Sequence, residues 1–145
     1  MNSEDDEATD NRREILEFFL DNNIWQTPSV NEVPTKWLQR WQIYKVTKAS
    51  RSPDSFGLHF IGYEFSDGYG AVSSKIESFD PVKMCGVTNS GRVYQLVGLP
   101  GSDPDAQHTL QGWAKWNGVV VQDATEEFIR HYEIDLEHVK AVGEP

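Results

Sequence analysis

Apolar and polar residues alternate in short runs from Trp37 to Val97, and each run is closed by a cluster of turn formers. A period of two places alternate side chains on opposite faces, which is the pattern of a half-buried strand. Trp41 to Thr47 is one run, rich in aromatic and β-branched residues. Phe56 or Gly57 to Phe65 is the next, with Leu58 and Phe60 on one face and His59, Ile61 and Tyr63 on the other. Tyr69 to Ile76, reaching toward Phe79, gives a third strand, Val82 or Met84 to Thr88 a fourth and Arg92 to Val97 a fifth. Ser52-Pro53-Asp54-Ser55, Ser66-Asp67-Gly68, Asp80-Pro81 and Asn89-Ser90-Gly91 are the turns between them. Links this short leave no room for a crossover, so consecutive strands must be antiparallel.

Toward both ends the period lengthens to three and four. Ile15, Leu16, Phe18, Phe19 and Leu20 form the apolar stripe of a helix running from Thr9 or Asp10 to Asp21. A connector with Pro28 and Pro34 follows, pinned by Ile24 and Trp25. After the fifth strand, Gly98 and Pro100-Gly101 break the chain, and Ser102 or Asp103 starts a helix with Pro104 in its first turn. Ala106, Leu110 and Trp113 fall on its sheet-facing side, with Trp116 open to either the sheet or partial exposure, and Gly118 ends it. Val119-Val120-Val121 suits only an edge or crossing strand. Asp123-Ala124-Thr125-Glu126 reads as a capping box for a helix through Tyr132, and Asp135 to Val142 adds a further helical segment. The fold expected is α+β: a twisted antiparallel five- or six-stranded sheet, with curling toward a barrel left open, an N-terminal helix, and C-terminal helices packed on one face. Residues 1–8 form an acidic flexible tail and residues 9–145 one domain.

Charge changes this picture more than composition does. The net charge is −10, but residues 1–22 carry eight acids against two bases, residues 23–102 six against eight, and residues 103–145 nine against three. Two negative ends therefore flank a mildly basic middle. Free nucleic acid is an unfavourable ligand for such a chain, whereas a protein with a basic surface is a favourable one. No apolar run approaches the roughly 20 residues of a membrane span, and the acidic N-terminus does not resemble a signal peptide, so a cytoplasmic location is expected. Cys85 is the single cysteine, which excludes an internal disulfide and favours a small core filler.

Reactive constellations are thin. Glu127, His131, Asp135 and His138 could be imagined around a metal, but a break at Glu133-Ile134-Asp135 separates the two histidines. Ser73, Ser74, Ser78 and Ser90 lie in no nucleophile elbow. Gly98 to Gly101 precedes a helix N-terminus as an anion cradle would, yet Asp103 and Asp105 stand where the anion would bind. No catalytic residue, metal or cofactor is expected. Lys36, Arg40, Lys45, Lys48 and Arg51 lie among aromatic residues, which would suit a single nucleic acid strand only if they shared a face.

The segment Ser78-Phe79-Asp80, Thr88-Asn89-Ser90-Gly91-Arg92-Val93-Tyr94-Gln95-Leu96-Val97-Gly98-Leu99-Pro100-Gly101, with Trp113 and Trp116-Asn117-Gly118, resembles a set of small bacterial and mobile-element proteins. The resemblance covers the central half of the chain. It implies a small β-rich domain with a packed helix, encoded on a phage or plasmid, and carries over no functional residue.

The expectation for function is a non-enzymatic acidic interaction module, with an inhibitor of a nucleic-acid-handling partner, of the anti-defence or immunity kind, as its specific form. Glu14, Glu17, Asp21, Trp37, Trp116, Glu126, Glu127 and Glu133 are the residues expected to meet that partner. Two alternatives stand beside it. One is a small-ligand binder or enzyme with a pocket lined by Tyr44, Tyr63, Tyr94 and His59. The other is a self-assembling subunit, paired through the N-terminal helix.

Overall fold

The alternating run that opens at Trp37 becomes the longest strand, and the other elements are arranged around it. The computed structural model describes residues 25–26, 33–49 and 57–143. In chain order these form β1 (Trp25–Gln26), β2 (Lys36–Ala49), β3 (Leu58–Glu64), β4 (Tyr69–Asp80), β5 (Cys85–Thr88), β6 (Val93–Leu96), α1 (Pro104–Asn117), β7 (Val119–Asp123), α2 (Thr125–His131) and α3 (Leu136–Gly143). The expected N-terminal helix and acidic tail lie outside the described residues, as does the turn at 52–55. Trp25 and Gln26, read as connector, pair parallel to Ser78 and Phe79; two residues are too few for alternation to reveal a strand.

The α+β class with a strand-rich sheet is as expected. Strand order is β1-β4-β3-β2-β6-β5, with β7 paired to β2 and β5 also paired to β4. The pairings β2-β3-β4-β5-β6 thus run round a ring of five strands, which does not form a barrel. Every hairpin is antiparallel, but β6 lies parallel to the start of β2, because three strands intervene and the four successive reversals restore the direction of β2.

The helices divide between the two faces. Ala106 and Leu110 of α1 pack on Ile61, with Trp113, Tyr44, Val72 and Val121 around them. Phe128 of α2, Tyr132 just after it and Val139 of α3 join Leu38, Ile43, Phe60 and Phe79 on the opposite face. The division follows from connectivity. Gly118, left-handed at φ 63°, turns α1 directly into β7 at the sheet border, so the chain emerges on the other side. The second core is an aromatic stack, with Phe79 centred 4.8 Å from Phe128 and 5.2 Å from Tyr132. Trp113, expected on the sheet-facing side of α1, is half-buried; Trp41 is wholly buried, and its Nε1 donates to Gly98 O at 2.9 Å.

Trp41 reaches that depth through a bulge. The β2–β3 register passes from Gln39↔Tyr63 to Gln42↔Ile61, so Arg40 and Trp41 together oppose Gly62. A Cβ on Gly62 would stand 3.0 Å from Gln39 O and 3.2 Å from Trp41 Cα, which is why the smallest residue is needed there. Arg40 takes the left-handed conformation, φ 47°. Its Nε and Nη2 donate to Asp103 Oδ1 at 3.0 and 2.8 Å, while Asp103 Oδ2 accepts from Ala106 N at 3.0 Å. One buried carboxylate therefore caps α1 and ties it to the bulge.

Candidate interaction surface

The residues expected to meet a partner separate into three groups. Glu14, Glu17 and Asp21 lie outside the described residues. Trp37, half-buried at the start of β2, braces the β3–β4 hairpin: its N–H donates to Glu64 Oε2 at 2.9 Å, and its carbonyl accepts from Phe65 N at 3.2 Å. It does not meet the others. Trp116, Glu126 and Glu127 instead flank the two ends of β7, and Glu133 is exposed in the turn that ends α2.

That strand is an edge. Among the described residues β7 pairs β2 alone. Val120 O accepts from Thr47 Oγ1 at 3.1 Å and Ala124 N donates to Ile43 O at 2.8 Å, so the even-numbered residues turn their backbone groups toward β2. Strand geometry then directs the N–H and C=O of Val119, Val121 and Asp123 outward, where no described residue pairs with them. Val120 is 55% exposed on the strand itself. Trp116, 81% exposed, sits in the last turn of α1, three residues before β7 begins.

The far end of β7 is acidic. Asp123 Oδ1 accepts from Thr125 N at 2.9 Å and from Thr125 Oγ1 at 2.6 Å, and Gln42 Nε2 donates to Oδ2 at 3.2 Å. The capping box read from the sequence is replaced by this shorter turn, and Glu126 reaches forward to Arg130 instead of back. Asp123, Thr125, Glu126, Glu127 and Ile129 line a cleft of about 410 Å³. No described residue hydrogen-bonds to the Glu127 carboxylate. Asp135 is drawn into capping α3, accepting from Glu137 N at 3.1 Å and His138 N at 3.3 Å.

Titratable groups elsewhere are built into the fold. His59 is buried, with Nδ1 2.8 Å from Ser73 O and its ring centred 5.0 Å from Trp113. The carbonyl of Ser73, and not its hydroxyl, faces the imidazole; the hydroxyl accepts from Phe60 N and donates to Ser74 O. Hydrogen bonds to Tyr69 and Asp67 hold the Lys36 ammonium pKa above its ordinary value. Lys45 is buried and Arg40 is bound to Asp103, so these cations do not make one free basic face. Cys85 packs with Val93 and Val87. His131 lies edge-on to Tyr132, where burial lowers its pKa, and His138 lines a different cleft, of about 440 Å³, with Met84, Leu96 and Val139. Among the described residues no three His, Cys, Asp or Glu side chains converge as metal ligands, and no helix is long and apolar enough to cross a membrane.

Tyr44, Tyr63, Tyr94 and His59 do not share a hollow. Tyr94 belongs to the aromatic core of one face, His59 and Tyr44 lie on the α1 face, and Tyr63 sits beneath the Arg40 guanidinium at 5.3 Å. No family model, curated protein or solved structure matches the chain. The surface must therefore be read from its own chemistry. Of the two placements open to Val119-Val120-Val121, edge or crossing strand, the pairing gives the edge, and only the pairing shows which side of it is left over among the described residues.

Proposed function

We propose that this chain is a non-enzymatic interaction module that docks on a basic surface of a partner protein. The observation that supports the reading most strongly is the edge strand with Val120 exposed on it, Trp116 exposed beside one end and an acidic cleft at the other. Exposed apolar residues supply contact area, while carboxylates steer a basic partner and suppress acidic ones. Nine acids against three bases over residues 103–145 give that steering a consistent sign. Occlusion of a partner's nucleic-acid-binding surface is the form of inhibition such a face suits.

Affinity purification with mass spectrometry from the source cells tests this, using the full chain and its Glu126→Lys, Glu127→Lys double variant. A basic partner is expected with the native chain at about 0.05 M salt, and its loss at about 0.5 M and in the variant. A partner held equally by both chains, binding indifferent to salt, or the lack of any basic partner would each overturn the reading.

A further inference from the structure

We infer that the outer edge of β7 receives an extended basic segment of the partner as an added strand. This rests on the reading above and deepens it by naming what the acidic surface takes hold of. Unpaired strand edges are templates for strand addition, and natural proteins cover or charge them to prevent it. Here the strand opens with three valines and contains neither lysine nor proline to block pairing. The outward N–H and C=O groups belong to Val119, Val121 and Asp123, a span of about 13 Å at strand rise.

Charge selects the occupant. An antiparallel segment would place its N-terminal end beside Asp123 and the cleft holding Glu127, and its C-terminal end beside Trp116. The fitting sequence therefore has basic residues followed, about four positions later, by a large apolar one. A second copy of this chain fits poorly, because each copy carries −10 and edge-to-edge pairing would bring the two acidic surfaces together.

Hydrogen exchange on the full chain, read by NMR, tests the inference with the synthetic peptide Arg-Lys-Thr-Val-Thr-Phe-Thr. A control peptide carries proline in place of its central valine and the threonine after it, keeping the charge but losing the donors. Addition of the first peptide should slow exchange at the Val119, Val121 and Asp123 amides by about tenfold and the control should not. Val120→Lys, at an exposed position, should weaken the first peptide at least about fivefold through like-charge repulsion while leaving the melting temperature unchanged. Equal binding of both peptides, or binding that leaves the β7 amides unchanged, overturns strand addition while the acidic docking reading stands. Outer amides already protected in the peptide-free chain would show the edge occupied by a second copy if light scattering gives a dimer, or by the chain itself if it gives a monomer; either overturns the inference. Failure of either peptide to bind at low salt also overturns it, and the partner purification then decides separately whether the acidic reading falls as well.

Discussion

The β3–β4 hairpin and the β7 edge both carry acidic residues, and their carboxylates have opposite surroundings. At the hairpin, Glu64 is wholly buried and accepts from Trp37 N, Asp67 N and Ser66 Oγ. Nearby, Asp103 takes two bonds from Arg40 and one from Ala106 N. At the β7 end, Glu126 pairs only with Arg130 on the same exposed helical turn, and no described residue bonds to Glu127. A buried anion stripped of its donors costs its full desolvation, so the first kind of residue is held by folding. An exposed anion costs little to leave unpaired, and so remains available to a partner. On the proposed reading, the first carboxylates stabilise the fold and the second recognise a partner.

The strongest way to break the hairpin side is steric. Gly70 begins β4 beneath α1, and a Cβ there would lie 2.3 Å from the backbone carbon of Asp105. Because that neighbour is backbone, it cannot swing away. Gly70→Ala is expected to cost about 3 kcal/mol through displacement of α1, measured by urea unfolding. A cost below about 1 kcal/mol would mean that α1 is loosely seated, and the two regions would differ less than argued.

Glu64→Gln probes the same region electrostatically and should cost about 2 kcal/mol, since a charged acceptor is replaced by a neutral amide with one oxygen. The pH dependence sharpens the point. Burial raises the Glu64 pKa, but the bonds from Ser66, Trp37 and Asp67 outweigh it and hold the carboxyl below the ordinary glutamate value. A depressed folded-state pKa contributes stability that is present above the unfolded value of about 4.3 and is lost as pH falls through the folded one. Unfolding free energy should therefore drop below about pH 4.3 in the native protein and drop less steeply in Glu64→Gln. Parallel pH profiles for the two would remove Glu64 from this role.

Much of this architecture is legible in the alternation itself. Period-two runs place β3 and β4, Asp103-Pro104 marks the start of α1, and Gly118 its end. What alternation does not carry is long-range. The bulge at Arg40 depends on Gly62, twenty-two residues away and on another strand, and the cap on α1 depends on a guanidinium from β2. The two-residue strand β1 is too short for any period. Among the residues expected to meet a partner, Trp116 and Glu126 are exposed and Glu127 is half-buried beside the ends of β7, and their charge and aromatic character are what the sequence could show of them. Trp37 is half-buried, and its hydrogen bonds run through backbone atoms that every residue possesses, so no side-chain pattern could announce them.

The smallest expected effect on stability lies at the β7 end, and it is the one that gives the comparison its functional meaning. Trp116→Ala removes a side chain that is 81% exposed, and Glu127→Gln removes a charge with no described hydrogen-bond partner, so each should change unfolding free energy by no more than about 0.5 kcal/mol. Their effect should appear in association. Loss of the Glu127 charge is expected to slow binding of a basic peptide severalfold at low salt, roughly three- to tenfold, and the difference should vanish near 0.5 M salt, where the Debye length is about 4 Å. Loss of the Trp116 ring should instead speed dissociation at every salt concentration, because apolar contact is not screened. Stopped-flow kinetics distinguish the two signatures. If Glu127→Gln destabilised the fold as much as Glu64→Gln, or if Trp116→Ala left dissociation unchanged, the β7 end would be one more structural anchor, and the division between stabilising and recognising carboxylates would fail at the place where it matters most.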